Sequence, residues 1–177
     1  YVGPTVSSEL IQAGIFAILI AVSAMLIYIW FRFELPFAIG AVIALLHDVA
    51  LTIGMFSITS LEFNLATVAA ILLIVGYSMN DTVVVYDRIR ENIKKFRKIS
   101  IIELLNKSVN ETLSRTINTT ATTILALLAL FIFGGSIIRD FSFAMIWGIL
   151  IGTYSSILIA TPTLVFLNVK RSQSKEE

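Results

Sequence analysis

The sequence predicts an all-α membrane protein, a bundle of five transmembrane helices with an amphipathic helix on the cytoplasmic side. Three observations carry that expectation. Hydrophobic residues make up 57% of the 177 positions and charged residues 14%, and mean hydropathy is +0.90, whereas soluble domains are about half apolar and about a quarter charged. Five apolar stretches approach or exceed the roughly 20 residues that a helix needs to cross a bilayer. The basic residues between them fall almost wholly on one side.

The stretches run from Leu10 to Phe31, Phe37 to Ile58, Leu65 to Tyr86, Ile117 to Phe133 and Phe141 to Leu167. They leave residues 1–9 as an external segment and 168–177 as a cytoplasmic tail. Of the 13 Lys and Arg, Arg32, seven between Arg88 and Lys107, and Lys170, Arg171 and Lys175 make eleven on one side. Arg139 stands alone on the other, and Arg115 sits at the mouth of the fourth span. Basic loops stay inside, so the N-terminus is expected outside and the C-terminus in the cytoplasm. The opening "YVGPTVSSEL" has neither an initiator Met nor a basic leader region. With an odd number of spans and an external start, the expectation is a chain that begins partway through a longer one and lacks an upstream helix.

Each break between spans has a local cause. Pro36 suits a first helical turn, where its missing N–H costs nothing, and Glu34 lies near that positive helix end. Ser100 and Glu103 form a capping-box pattern. Beyond it Ile101, Leu105 and Val109, flanked by Ile102 and Leu113, make one apolar face, which predicts a short amphipathic helix on the membrane surface. "RIRENIKKFRK" beside it reads as a solvated basic turn. Pro162 is expected to bend the last span. Gly148 and Gly152 make a GxxxG pair there, and Ala13, Ala17 and Ala21 a small-residue stripe in the first span. Small residues let membrane helices approach closely, so these stripes point to packing, including packing with a partner chain.

Cysteine is absent, which excludes disulfides, a thiolate nucleophile and cysteine metal sites. The sequence also carries no phosphate-binding glycine loop, no nucleophile aligned with a base and no cofactor fingerprint. A protein that is not an enzyme, uses no cofactor or metal and binds no nucleic acid is expected. Chemistry must then come from polar groups at membrane depth. Asp48 in "ALLHDVALT", Asp81 in "YSMNDTVVV" and Arg115 in "ETLSRTINTTATT" are ionisable there, and a charge near the bilayer centre costs on the order of 2.5 to 3.5 kcal/mol. That cost calls for a partner or a task. Tyr77, Ser78 and Asp81 share one helix face by their spacing, and Arg115, Thr119 and Thr122 share a face of the next helix. Asn80, Asn118, Thr116, Thr120 and Thr123 add donors and acceptors. Two readings stay open for this seam: a proton or ion relay, in which the distance between Asp81 and Arg115 changes, or a structural clamp with threonines bonded to their own backbone. His47 alone beside Asp48 makes no metal site.

"GYSMNDTVVVYDRIREN", the basic segment after it, "NETLSRTINTTATT" and "RFELPFAIGAVIALLHDVALTIGMFSI" closely resemble the membrane region of the SecF half of the SecD/SecF protein-export family, within the resistance-nodulation-division superfamily. The resemblance covers nearly the whole chain. It implies a proton-driven auxiliary of the general secretion (Sec) translocon, SecYEG, in the bacterial plasma membrane, acting on translocating polypeptide beside a SecD-like chain. By matching motif, Asp81 takes the place of the family's essential intramembrane aspartate and Arg115 that of its essential arginine. It also implies a first transmembrane helix and a periplasmic domain that this chain lacks. Two rivals differ in class: a related exporter of lipids or small molecules, and a non-transporting membrane scaffold.

Overall fold

The computed structural model describes residues 4–59, 64–167 and 169. Among them the architecture is helical throughout: α1 (Pro4–Arg32), α2 (Leu35–Thr59), α3 (Leu65–Lys95), α4 (Ile101–Phe133) and α5 (Ser136–Ser155), followed by a π-helical turn (Ser156–Ala160) and α6 (Thr161–Phe166). Five helical segments are long and apolar enough to cross a membrane. The five-span expectation therefore holds. Most of the predicted external segment, from Pro4 onward, is helical and continuous with α1; residues 1–3 and most of the predicted tail lie outside the described residues.

α3 is the centre of the bundle and touches every other long helix. Its start is set by Asn64, whose side chain accepts from the Thr67 N–H at 3.1 Å while its own N–H donates to the Thr67 hydroxyl at 3.4 Å. That reciprocal cap satisfies two of the donors a helix start leaves open. α5 lies closest along it. A Cβ at Gly148 would overlap the Ile74 side chain, and one at Gly152 would lie 2.8 Å from Ser78 Cβ. The GxxxG pair is thus consumed inside the chain, against α3, and is no partner-facing surface as the sequence had suggested. The small side chains serve the close approach expected of them, but toward a helix of the same molecule.

The predicted surface-lying amphipathic helix does not form as a separate element. Ile101–Phe133 is one uninterrupted helix, capped by Ser100, whose hydroxyl accepts from the Glu103 N–H at 3.2 Å. No Gly or Pro interrupts the run between the two predicted pieces. The apolar face is covered by protein: Leu104 and Leu105 are buried in the core, with Ile101 and Val109 packed against it. The basic turn is likewise shorter than predicted, because α3 continues through Lys95. Ile89 and Asn92 are buried there. Asn92 Nδ2 donates to Ser108 Oγ at 2.9 Å and to Glu111 Oε2 at 2.7 Å, and Arg88 Nε reaches Glu111 at 2.7 Å. These bonds zip the charged extensions of α3 and α4 together. Arg32 ties α1 to the same end through Asp87 at 2.9 Å.

Two apolar cores form, one toward the basic end around Phe33, Phe37, Tyr86, Ile89, Leu104 and Leu164, the other around Met55, Ala70, Ile74, Leu127, Ala144 and Ile149. Between them lies a layer of buried polar groups that includes Asp48, Ser78, Asp81, Thr82, Thr120, Ser155 and Ser156. Pro162 lies just past the π-helical turn, where it has no N–H for the carbonyl one turn back. Thr161 Oγ1 donates to the Ser156 carbonyl at 3.0 Å and so helps close the widened turn.

Candidate functional site

Asp81 lies in this polar layer, 4% exposed, on the face of α3 that meets α5. Its carboxylate accepts from the Thr153 hydroxyl at a long 3.4 Å. Thr153 Oγ1 in turn lies 2.9 Å from Thr120 Oγ1 of α4. One hydroxyl on α5 therefore joins the carboxylate to α4. Thr116, one turn earlier on α4, has a buried hydroxyl without a hydrogen-bond partner. No ion pair within 4.0 Å joins Arg115 to Asp81 among the described residues. The guanidinium side chain is exposed on α4.

The remaining seam residues divide. Tyr77 crosses from α3 to α4, donating to Thr123 Oγ1 at 3.2 Å. Thr119 and Thr122 bond to carbonyls of their own helix, Thr119 to Arg115 at 3.0 Å and Thr122 to Asn118 at 2.9 Å. Such back-bonding quiets a hydroxyl in an apolar helix without linking helices. Asn80 and Asn118 are exposed, as are Arg115 and Thr122. Ser78, placed by its spacing on the Asp81 face, points to α2 instead and donates to Asp48 Oδ2.

Asp48 is fully buried and more completely bonded than Asp81. Besides Ser78 it accepts from Ser155 of α5 at 2.7 Å, and His47 Nδ1 lies 3.0 Å from its other oxygen. Thr82 of α3 lies 2.9 Å from Ser156. Sequence reasoning missed Thr82, Thr153, Ser155 and Ser156. The signal was the run "GTYSS" inside an otherwise apolar span; its hydroxyls gain meaning only once α5 is seen to face both carboxylates.

A carboxylate with one weak donor and hydroxyls leading between helices can exchange a proton with modest rearrangement. A deeply hydrogen-bonded carboxylate such as Asp48 suits anchoring instead.

The chain matches the family model described as "Protein export membrane protein SecD/SecF, C-terminal" over residues 1–170. It is 57% identical over 171 residues to the protein translocase subunit SecF of Rickettsia bellii, covering 96% of this chain and 56% of that protein. It is 51% identical over 176 residues to the protein translocase subunit SecF of Rhodobacter capsulatus, covering 99% and 53%. The chain therefore spans about half the length of these relatives. Among solved structures, the crystal structure of SecDF, a translocon-associated membrane protein from Thermus thermophilus, superposes with a TM-score of 0.89 at 46% identity, covering 96% of this chain and 24% of that one. A family model matching almost the full length, relatives above half identity and a shared helical arrangement lead to one conclusion: the chain belongs to the SecD/SecF family of protein-export membrane proteins.

Proposed function

We propose that this chain is the membrane-embedded, proton-handling part of an auxiliary subunit of the Sec translocon, which uses the proton gradient across the bacterial plasma membrane to support protein translocation. Asp81 is the proton carrier and Arg115 the cation that tunes it. The observation that carries this reading is the placing of Asp81: buried in the polar layer, held by one long hydrogen bond and free of an ion pair. A carboxylate kept only for architecture is expected to be fully paired, because an unpaired buried charge is costly. The relatives' names, protein translocase subunit SecF, support the export role.

The polar face formed by Asn80, Arg115 and Asn118 is exposed. Lipid tails satisfy no such groups. This supports a second membrane chain, SecD-like, seated over α3 and α4, with the translocon and its moving polypeptide as further partners. The N-terminus then faces outward and the basic end faces the cytoplasm.

The test is export driven by the proton gradient in vesicles carrying the full-length parent with Asp81→Asn, and membrane abundance measured in parallel. Asn keeps shape and hydrogen-bonding capacity but cannot ionise. Export should be lost at normal abundance. Normal export from the variant would remove the relay and leave a scaffold.

A further inference from the structure

We propose that Asp48 is a positioning residue for Asp81: it anchors α5 to α3 so that the Asp81 carboxylate stays opposite Thr153 while its proton comes and goes. This assignment rests on the relay reading and deepens it.

The geometry divides the labour between two carboxylates. Ser78 and Asp81 stand nearly one turn apart on α3, and Thr153 and Ser155 two residues apart on α5. Each helix therefore contributes to both sites. At Asp48 both contributions are short, with Ser78 and Ser155 converging on Oδ2 and the Ser155 bond at 2.7 Å. At Asp81 the one contribution from α5 is the 3.4 Å bond from Thr153. A hydrogen bond at that length is weak, whereas short bonds to a carboxylate are among the strong ones. The helix pair is thus fixed at the site with no cause to change and left loose at the site that must.

Three details support the anchoring. Gly152 lets α5 approach Ser78 closely, since a Cβ there would lie 2.8 Å from Ser78 Cβ. The π-helical turn starts directly after Ser155, and its first residue, Ser156, lies 2.9 Å from Thr82, a second polar contact between α3 and the last span beside Asp48. His47, partly exposed, holds the second carboxylate oxygen from α2 itself. Around Asp48, α2 contributes His47, α5 contributes Tyr154, whose ring packs 6.0 Å from that of His47, and the ionisable groups of α3 nearby, Tyr77 and Asp81, bond instead to Thr123 and Thr153. No Lys or Arg lies within 4.0 Å of Asp48 among the described residues. A permanent cation plays no part in the anchor.

The readout is modification of Asp81 by dicyclohexylcarbodiimide, which reacts with protonated carboxyls in membranes, followed by mass spectrometry across pH in vesicles holding the full-length parent. Asp48→Leu removes the anchor and should displace the half-maximal pH of Asp81 modification by about half a pH unit or more. Asp48→Asn, which can still bridge both hydroxyls as they rotate, should restore a near-parental profile. Should Asp48→Leu fail to fold, Ser155→Ala removes one bond alone and should displace the profile in the same sense. An unchanged profile in folded Asp48→Leu or Ser155→Ala overturns the assignment and leaves the relay intact. Absence of Asp81 modification in the parent at every pH would overturn the relay itself.

Discussion

Tyr86 shows how much a single position can decide. Its ring is buried edge-on between Phe33 and Phe37, at centroid distances of 6.0 and 5.1 Å, and its hydroxyl donates to the Ala160 carbonyl at 3.0 Å, at the end of the π-helical turn. Gly40 makes room for that hydroxyl, because a Cβ there would collide with it. Gly40→Ala should therefore cost about 1–3 kcal/mol by overpacking, and Tyr86→Phe about 1 kcal/mol for the lost bond. The double variant should be less destabilised than the sum, since Phe removes the atom the new methyl strikes. Thermal unfolding in detergent measures all three; strict additivity would show that the two residues do not meet. Under the proposed relay, Arg115→Lys should impair export although charge is kept, because an ammonium lacks the planar fork and the spread charge of guanidinium. Gradient-driven export at equal abundance checks it. Asp81 and Arg115 were legible in the sequence because ionisable groups stand out in apolar runs. Thr153 and Ser155 were not, since hydroxyls are ordinary in membrane helices and usually bond their own backbone, as Thr119 and Thr122 do here.

At the scale of elements, the continuity of α4 is the instructive case. Its first part has the periodicity of a surface-lying helix, with Ile101, Leu105 and Val109 on one apolar face. What the pattern does not contain is the identity of the covering surface. Leu104 and Leu105 are buried by protein, and the polar edge of the same helix engages α3 through Ser108 and Glu111, with Lys107 of α4 itself 3.2 Å from Glu111. A continuous helix makes a sharp prediction. Ser114, exposed between the two predicted pieces, should not tolerate proline: Ser114→Pro should cost about 3 kcal/mol or more by removing a helical bond and crowding the preceding turn. Unfolding and membrane abundance would report it. A flexible hinge at that point would leave both unchanged. Elsewhere the element boundaries followed local chemistry well, with Ser100 capping α4 as its spacing with Glu103 suggested.

At the scale of the whole molecule, the proposed orientation and assembly rest on the basic end and the exposed polar face. Single cysteines should show the first: Ser136→Cys should react with reagents applied outside intact cells and Ser100→Cys only after the cells are opened, because the stretch from Arg88 to Lys107 carries seven basic residues while Arg139 is alone at the other end. Labelling of position 100 from outside would invert the assignment. Assembly should show as co-purification of the full-length parent with a second, SecD-like membrane chain, weakened by Arg115→Ala. The sequence by itself determined the helical class, the number of spans, the uneven distribution of charge along the chain and the presence of ionisable residues inside apolar runs. Those properties follow from length, hydropathy and the cost of charge in lipid, which are local. Only the tertiary structure decided that the GxxxG pair packs on α3, that Asp48 is the better-bonded carboxylate, and that Asp81 is shared with α5 through Thr153. Those depend on which helix faces which, and a pattern along one chain records the existence of a face without naming its neighbour.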